Sequence, residues 1–235
     1  MRLGSVTALV LLLATGGFGC SDSDSGGPSP PSRFVACVDG TGQADGTVAD
    51  LKTGLLWEMK TGAFSPGVVA VCSAQTPCPN PHDVSNQYQI SSDLIFGSGL
   101  YAGSFRVFLA SLNAAPGFAG HMDWRLPKIS ELQSILVGPG VTKVASGDPL
   151  AGNNPTGQSD IFCQADAPCI DPEFAAVGGA TAPSNYWSET IPTSSPPLNY
   201  VRYAWVAKFS IGEVTFALTT VDAFVRAVRE GACTP

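Results

Sequence analysis

Charge is scarce in this chain. Charged residues make up 13% of its 235 positions, about half the share of an ordinary globular protein. The 12 Lys and Arg are outnumbered by 19 Asp and Glu, so there is no basic footprint for nucleic acid phosphates. Histidine is scarcer still, with His82 and His121 alone. That leaves little for a zinc site, whose cysteines sit about two to four residues apart with histidine near them. Cys-x-x-Cys, the spacing of a thiol redox centre, is absent. So is any long apolar run after the first segment. Nothing there reaches the roughly 20 apolar residues that a membrane-spanning helix needs.

The first segment is itself informative. Arg2 precedes an apolar run from Leu3 to Ala14, and Gly16-Gly17-Phe18-Gly19-Cys20 follows. A positive start, a short apolar stretch and small residues before a cut are the parts of a secretory signal. Residues 1–19 are therefore expected to be a signal peptide, with Cys20 as an acylated lipoprotein cysteine. Gly17 stands where such signals usually carry Leu. The alternative is ordinary cleavage, which would release a secreted protein. Ser21 to Ser32 has no side chain large enough to pack, and such composition does not offset its own ordering entropy. Residues 20–33 therefore read as a lipid-anchored linker, and residues 34–235 as one domain. Without Arg2, 11 basic residues face 19 acidic ones, a net charge of −8.

Seven cysteines become six if Cys20 carries lipid. Six allow fifteen pairings, and the spacing favours one. Cys72 and Cys78 enclose five residues with a proline, as do Cys163 and Cys169, while Cys37 and Cys233 flank the domain. Three structural disulfides are expected: Cys72–Cys78, Cys163–Cys169 and Cys37–Cys233. Metal binding is the competing use of these thiols.

The elements read as α+β. Gly40 to Asp50 is rich in Gly and Asp and reads as a turn region before a short strand at Leu55-Leu56-Trp57. Phe105, Phe108, Leu109 and Leu112 recur at one helical face, with Ser104 as cap and Pro116-Gly117 as stop. Ile129, Leu132, Ile135 and Leu136 form a second short helix, stopped by Gly138-Pro139-Gly140. Val201, Tyr203, Trp205, Ala207 and Phe209 alternate as a strand with one buried face. Val214, Phe216 and Leu218 continue that pattern on a partner strand, and Val225 to Arg229 reads as a third. Two loop-rich insertions, residues 65–98 and 137–172, each hold one close cysteine pair.

Five phrases recur in an order that identifies more than elements. They are Asp45–Trp57 (DGTVADLKTGLLW), Asp123–Leu136 (DWRLPKISELQSIL), Tyr186–Thr190 (YWSET), Trp205–Val214 (WVAKFSIGEV) and Val225–Arg229 (VRAVR). Together they resemble the Lcl C-terminal domain family, an extracytoplasmic bacterial domain. The resemblance implies a C-type-lectin-like fold: two short helices flanking a small twisted antiparallel sheet, with adjacent N- and C-terminal strands and long loop insertions. It implies structural roles for Trp57, Asp123, Trp124, Arg125, Pro127, Glu131, Tyr186, Trp187, Gly212, Arg226 and Arg229. Relatives carry Thr or Asn after the proline and complete a capping box. Lys128 stands there in this chain, and Ala227 stands where relatives often have Cys.

That superfold hosts sugar binders, protein binders and formylglycine-generating enzymes, so fold does not decide function. The Glu-Pro-Asn, Gln-Pro-Asp and Trp-Asn-Asp signals of calcium-dependent sugar sites are absent. A reactive cysteine pair of the enzyme type has no match. His121 and Asp123 could join a serine only without a nucleophile elbow. Asp39, Asp45 and Asp50 offer oxygen ligands to calcium, but their spacing fits solvated turns better. Trp57, Trp124, Trp187 and Trp205 read as core packing rather than as a platform. No catalytic residue, metal or cofactor is expected. The expected role is an adhesin-type or ligand-recognition lipoprotein of the cell envelope, with the outer membrane as its expected location, binding a protein or glycan through contacts on the insertions. A structural envelope protein without a discrete ligand is the alternative, and an enzyme comes third.

Overall fold

A computed structural model of the chain describes residues 31–91, 103–137, 168–191 and 203–233. Ser32–Pro235 form one compact unit of mixed α and β structure, with more strand than helix. The strands are β1 (Phe34–Val38), β2 (Ala44–Asp50), β3 (Leu55–Glu58), β4 (Ala70–Val71) and β5 (Asn86–Tyr88), followed by β6 (Asn185–Trp187), β7 (Tyr203–Lys208), β8 (Glu213–Leu218), β9 (Ala223–Phe224) and β10 (Val228–Glu230). Three helices are described: α1 (Phe105–Asn113), α2 (Ile129–Ile135) and α3 (Pro172–Val177).

Two open sheets organise these strands. One has the order β1-β2-β3-β10 and is antiparallel throughout. Its last pairing sets Val228 opposite Trp57, so the C-terminal strand shares a sheet with the N-terminal one but lies at the opposite edge, not adjacent to it as expected, because β2 and β3 intervene. The other sheet has the order β4-β5-β9-β6-β7-β8. It contains two parallel pairs, β4 with β5 and β6 with β9, and so is mixed rather than purely antiparallel.

Both sheets are buried on both faces at their centres. Leu55 and Trp57 join one apolar cluster with Ile129, Leu132 and Phe174, while Leu56 joins another with Phe108 and Trp124. β7 divides in the same way, with Trp205 and Ala207 on one side and Ala204 and Val206 on the other. The sequence suggested a single buried face for β7. The intervening positions carry Ala204 and Val206, small residues that do not announce the second face, which packs on the α1 side.

Four other local expectations change. Gly40 to Asp50 is not all turn, because Ala44–Asp50 is strand β2. Its polar residues pair inward: Thr47 Oγ1 donates to Asp45 at 2.7 Å, and Asp50 is buried against Arg33. Ser104 does not cap α1 with its side chain; its hydroxyl accepts the Gln89 N–H at 2.9 Å. The strand expected at Val225–Arg229 is shorter, since residues 225–227 are not strand and β10 begins at Val228. The box at α2 is one-sided. Glu131 accepts the Lys128 N–H at 2.7 Å, but an ammonium has no lone pair with which to accept in return. Val201 and the 138–140 stop lie outside the described residues.

Candidate functional site

Three of the five phrases, those at 123–136, 186–190 and 225–229, meet in a knot of charged and backbone contacts. Arg125 holds Glu131 with both guanidinium arms, at 2.8 and 2.7 Å, a bidentate geometry that fixes orientation as well as charge. It also lies 3.9 Å from Glu189. Pro127 accepts the Glu189 N–H at 2.9 Å, and Thr190 Oγ1 accepts the Ile129 N–H at 3.0 Å. Asp123 pairs with Arg229 at 2.7 Å, and Arg229 holds that carboxyl below its ordinary range. The backbone of Trp124 is bracketed by the Asn113 amide, at 2.8 and 2.9 Å.

Arg226 is the most demanding of these residues because it is fully buried. Its guanidinium donates to the carbonyls of Glu58, Gly178 and Ala180 and to Thr181 Oγ1, all between 2.7 and 2.9 Å. The ring of Phe174 lies 5.2 Å away. Four oxygen acceptors disperse the charge that burial would otherwise penalise. Tyr186 is buried nearby, and its hydroxyl accepts the Ala182 N–H at 2.8 Å. Gly212 takes a positive φ of 69° in the β7–β8 turn, where a side chain would be strained. Trp57, Trp124, Trp187 and Trp205 are all buried and form no exposed platform.

A second polar cluster escaped the sequence reading. Glu58 is fully buried, and its Oε1 accepts from Lys60 at 2.9 Å and lies 2.8 Å from His82 Nδ1. Its Oε2 accepts the Ala227 N–H at 2.9 Å. Burial alone would raise this carboxyl; Lys60, His82 and the Ala227 amide overcome it and leave it below its ordinary value. Lys60 also donates to the Pro81 carbonyl and lies over the Phe108 ring. Glu58 and Lys60 are buried and hold one another, while the His82 side chain remains 21% exposed at the margin of the pair. The ordering of His82, 24 residues from Glu58, gave no periodic signal in the sequence.

The expected cysteines fall as follows. Cys37–Cys233 and Cys72–Cys78 are disulfides with Cα separations of 5.2 and 5.4 Å. Cys169 is disulfide-bonded as well; Cys163, like Cys20, lies outside the described residues. The three aspartates weighed for calcium serve the backbone instead. Asp39 accepts from Thr41 and Gln43, Asp45 from Thr47, and Asp50 from Arg33, Lys52 and Thr53. Among the described residues no group of three or more His, Cys, Asp or Glu is placed to hold a metal ion.

One surface feature with room for a ligand is an open groove of about 390 Å³ between α1 and the Arg125 phrase. Phe105, Leu109 and Leu126 give it an apolar floor, and Arg106, Arg125 and Glu189 stand around it. Burial raises the Glu189 carboxyl above its ordinary range, against the pull of Arg125. Arg106 is exposed and has no carboxylate partner among the described residues. The α1 periodicity located Phe105 and Leu109, but nothing in the sequence set them beside Leu126.

Residues 46–229 match the family model of the Lcl C-terminal domain, and the chain belongs to that family. No curated protein and no solved structure matches it.

Proposed function

We propose, with that membership as the premise, that this protein is a recognition module of the cell envelope. Its domain has the C-type-lectin-like arrangement, is tethered through acylated Cys20 to a membrane, the outer membrane by preference, and binds a protein or glycan outside the cytoplasm. The groove beside α1 carries the reading. An apolar floor with a few charged groups at its margin is the usual composition of a binding site, and the volume of about 390 Å³ suits a side-chain cluster or a sugar unit. The lectin-like arrangement draws support from the shared sheet of β1 and β10 and from the Cys37–Cys233 bond that joins the two ends. Binding is favoured over catalysis because the carboxylate and ammonium of the Glu58 cluster are buried and paired with one another.

Glycan arrays and envelope pull-downs with the mature chain test this reading, using Arg106→Glu and Ala110→Asp as groove variants. Both residues are exposed, so neither change should disturb the fold. Capture that both variants abolish, with melting unchanged, is the expected result. Capture that both leave intact would move the site elsewhere, and no capture on any screen would assign a structural role.

A further inference from the structure

We infer that the outer edge of β4 is a docking site for an extended, basic segment of a partner protein, added to the six-stranded sheet as one more strand. The inference is independent of the groove beside α1, and either can fail without the other.

The backbone carries it. β4 is the end strand of its sheet and pairs in parallel with β5, in the register Ala70↔Asn86 and Val71↔Gln87. The Ala70 N–H bonds to Ser85 and the Cys72 N–H to Gln87, each at 3.0 Å. In a parallel ladder alternate residues supply the bonds, so Val69 and Val71 turn their N–H and C=O groups away from β5. Those groups have no partner among the described residues. Backbone donors and acceptors at strand spacing are complementary to one chemistry above all, another extended backbone.

The side chains agree. Val68, Val69 and Val71 are 64%, 45% and 51% exposed. Natural sheet edges are blunted by shortness, charge, proline or a covering segment; β4 is two residues long, and Val68-Val69-Ala70-Val71 contains neither charge nor proline. The strand is held ready at both ends. The Val68 N–H closes on Ser65 at 3.0 Å, and the Cys72–Cys78 disulfide follows immediately. A pre-ordered edge loses little freedom on binding. The opposite edge differs: β8 opens with Glu213, and its Phe216 is held edge-on by Tyr203 and Trp205.

Charge selects the partner. A cavity of about 360 Å³ lies between Val68, Val69, Ala70 and the Cys78–Asn86 segment. Asp83 is its charged lining residue, and Asn80, Ser85 and Asn86 are its polar ones. A lysine or arginine on the added strand would meet a carboxylate there, on a chain whose net charge is −7.

The test uses the full chain and a capped peptide of alternating Lys and Val, about six residues long to match a typical strand. A Glu-Val counterpart and a Lys-Val peptide N-methylated on alternate residues are the controls. Residue-resolved amide exchange should slow at Val69 and Val71 by about tenfold at ~1 mM Lys-Val peptide, a concentration that reveals even weak binding. Asp83→Asn should weaken the peptide several-fold. Val71→Pro removes an outward N–H and should abolish the effect, while the Ala70 and Cys72 amides stay protected and report that β4 is intact. The N-methylated peptide should do nothing. No slowing at Val69 and Val71 overturns the inference, as does equal slowing by the Glu-Val peptide. Protection that grows with protein concentration alone would assign the edge to a second copy of this chain, which also overturns it.

Discussion

Trp124 shows what a single residue of the family phrases does. Its ring is buried 5.1 Å from the Phe118 ring, its indole N–H donates to the Phe118 carbonyl at 3.0 Å, and Asn113 holds its backbone. Truncating such a residue costs about 3–5 kcal/mol, out of a domain total of roughly 5–15 kcal/mol. Trp124→Ala should therefore lower the melting temperature by on the order of 10 °C. A thermal scan checks it, and a variant that melts like the parent would remove the ring from the core. Glu58 supplies a pH prediction. Its folded carboxyl lies below the ordinary 4.5, so its stabilisation is complete above that value and is lost as acid drives the pH through the folded value. Urea titrations from about pH 3 to 7 should show Glu58→Gln weaker at neutrality but flatter on the acid side. An acid slope equal to the parent's would mean that Glu58 is not the group responsible. Trp124 was legible in the sequence because a large apolar residue inside a phrase has few alternatives to the core. Glu58 was not. A buried carboxylate is recognised by Lys60, His82 and the Ala227 amide, and only the folded chain brings those together.

Elements divide along the same line. Phe105, Phe108 and Leu112 are buried on α1, and Ile129, Leu132 and Ile135 on α2, as the helical period required. β2 was hidden because two of its buried positions are filled by polar residues, Thr47 held by Asp45 and Asp50 held by Arg33, Lys52 and Thr53. α3 was missed as well, although Asp171 before Pro172 is a legible start signal. Asp171 accepts the Glu173 N–H at 2.9 Å and lies 3.8 Å from Arg33. Asp171→Ala should cost about 1 kcal/mol through the cap, with Asp171→Asn recovering most of it. Chemical denaturation of the two variants decides, and equal losses would transfer the effect from the cap to the ion pair.

At the scale of the molecule, the ends are brought together twice, by the β3–β10 pairing and by Cys37–Cys233. That disulfide spans 196 residues and Cys72–Cys78 spans 6. Chain entropy therefore makes the long bridge worth more, on the order of 4 kcal/mol. The double variant Cys37→Ser/Cys233→Ser should lose far more stability than Cys72→Ser/Cys78→Ser under matched denaturation. Comparable losses would show that local geometry outweighs loop length. Cysteine spacing made this closure legible in advance. The two-sided burial of the sheets was not legible, because alanine at a hidden position and alanine at a solvent position look the same in sequence.

The clasp between Cys37 and Cys233 also sets how the domain answers a pull. β1 is the outer strand of its sheet, and tension entering from the N-terminal side would peel it from β2 one hydrogen bond at a time. The covalent link stops that unzipping at Cys37 and diverts the load to the segment just after β10, the opposite outer strand of the same sheet, held there by β3. Peeling therefore cannot run past Cys37 into the rest of the sheet until β10 also leaves β3, so the two outer strands yield together or not at all.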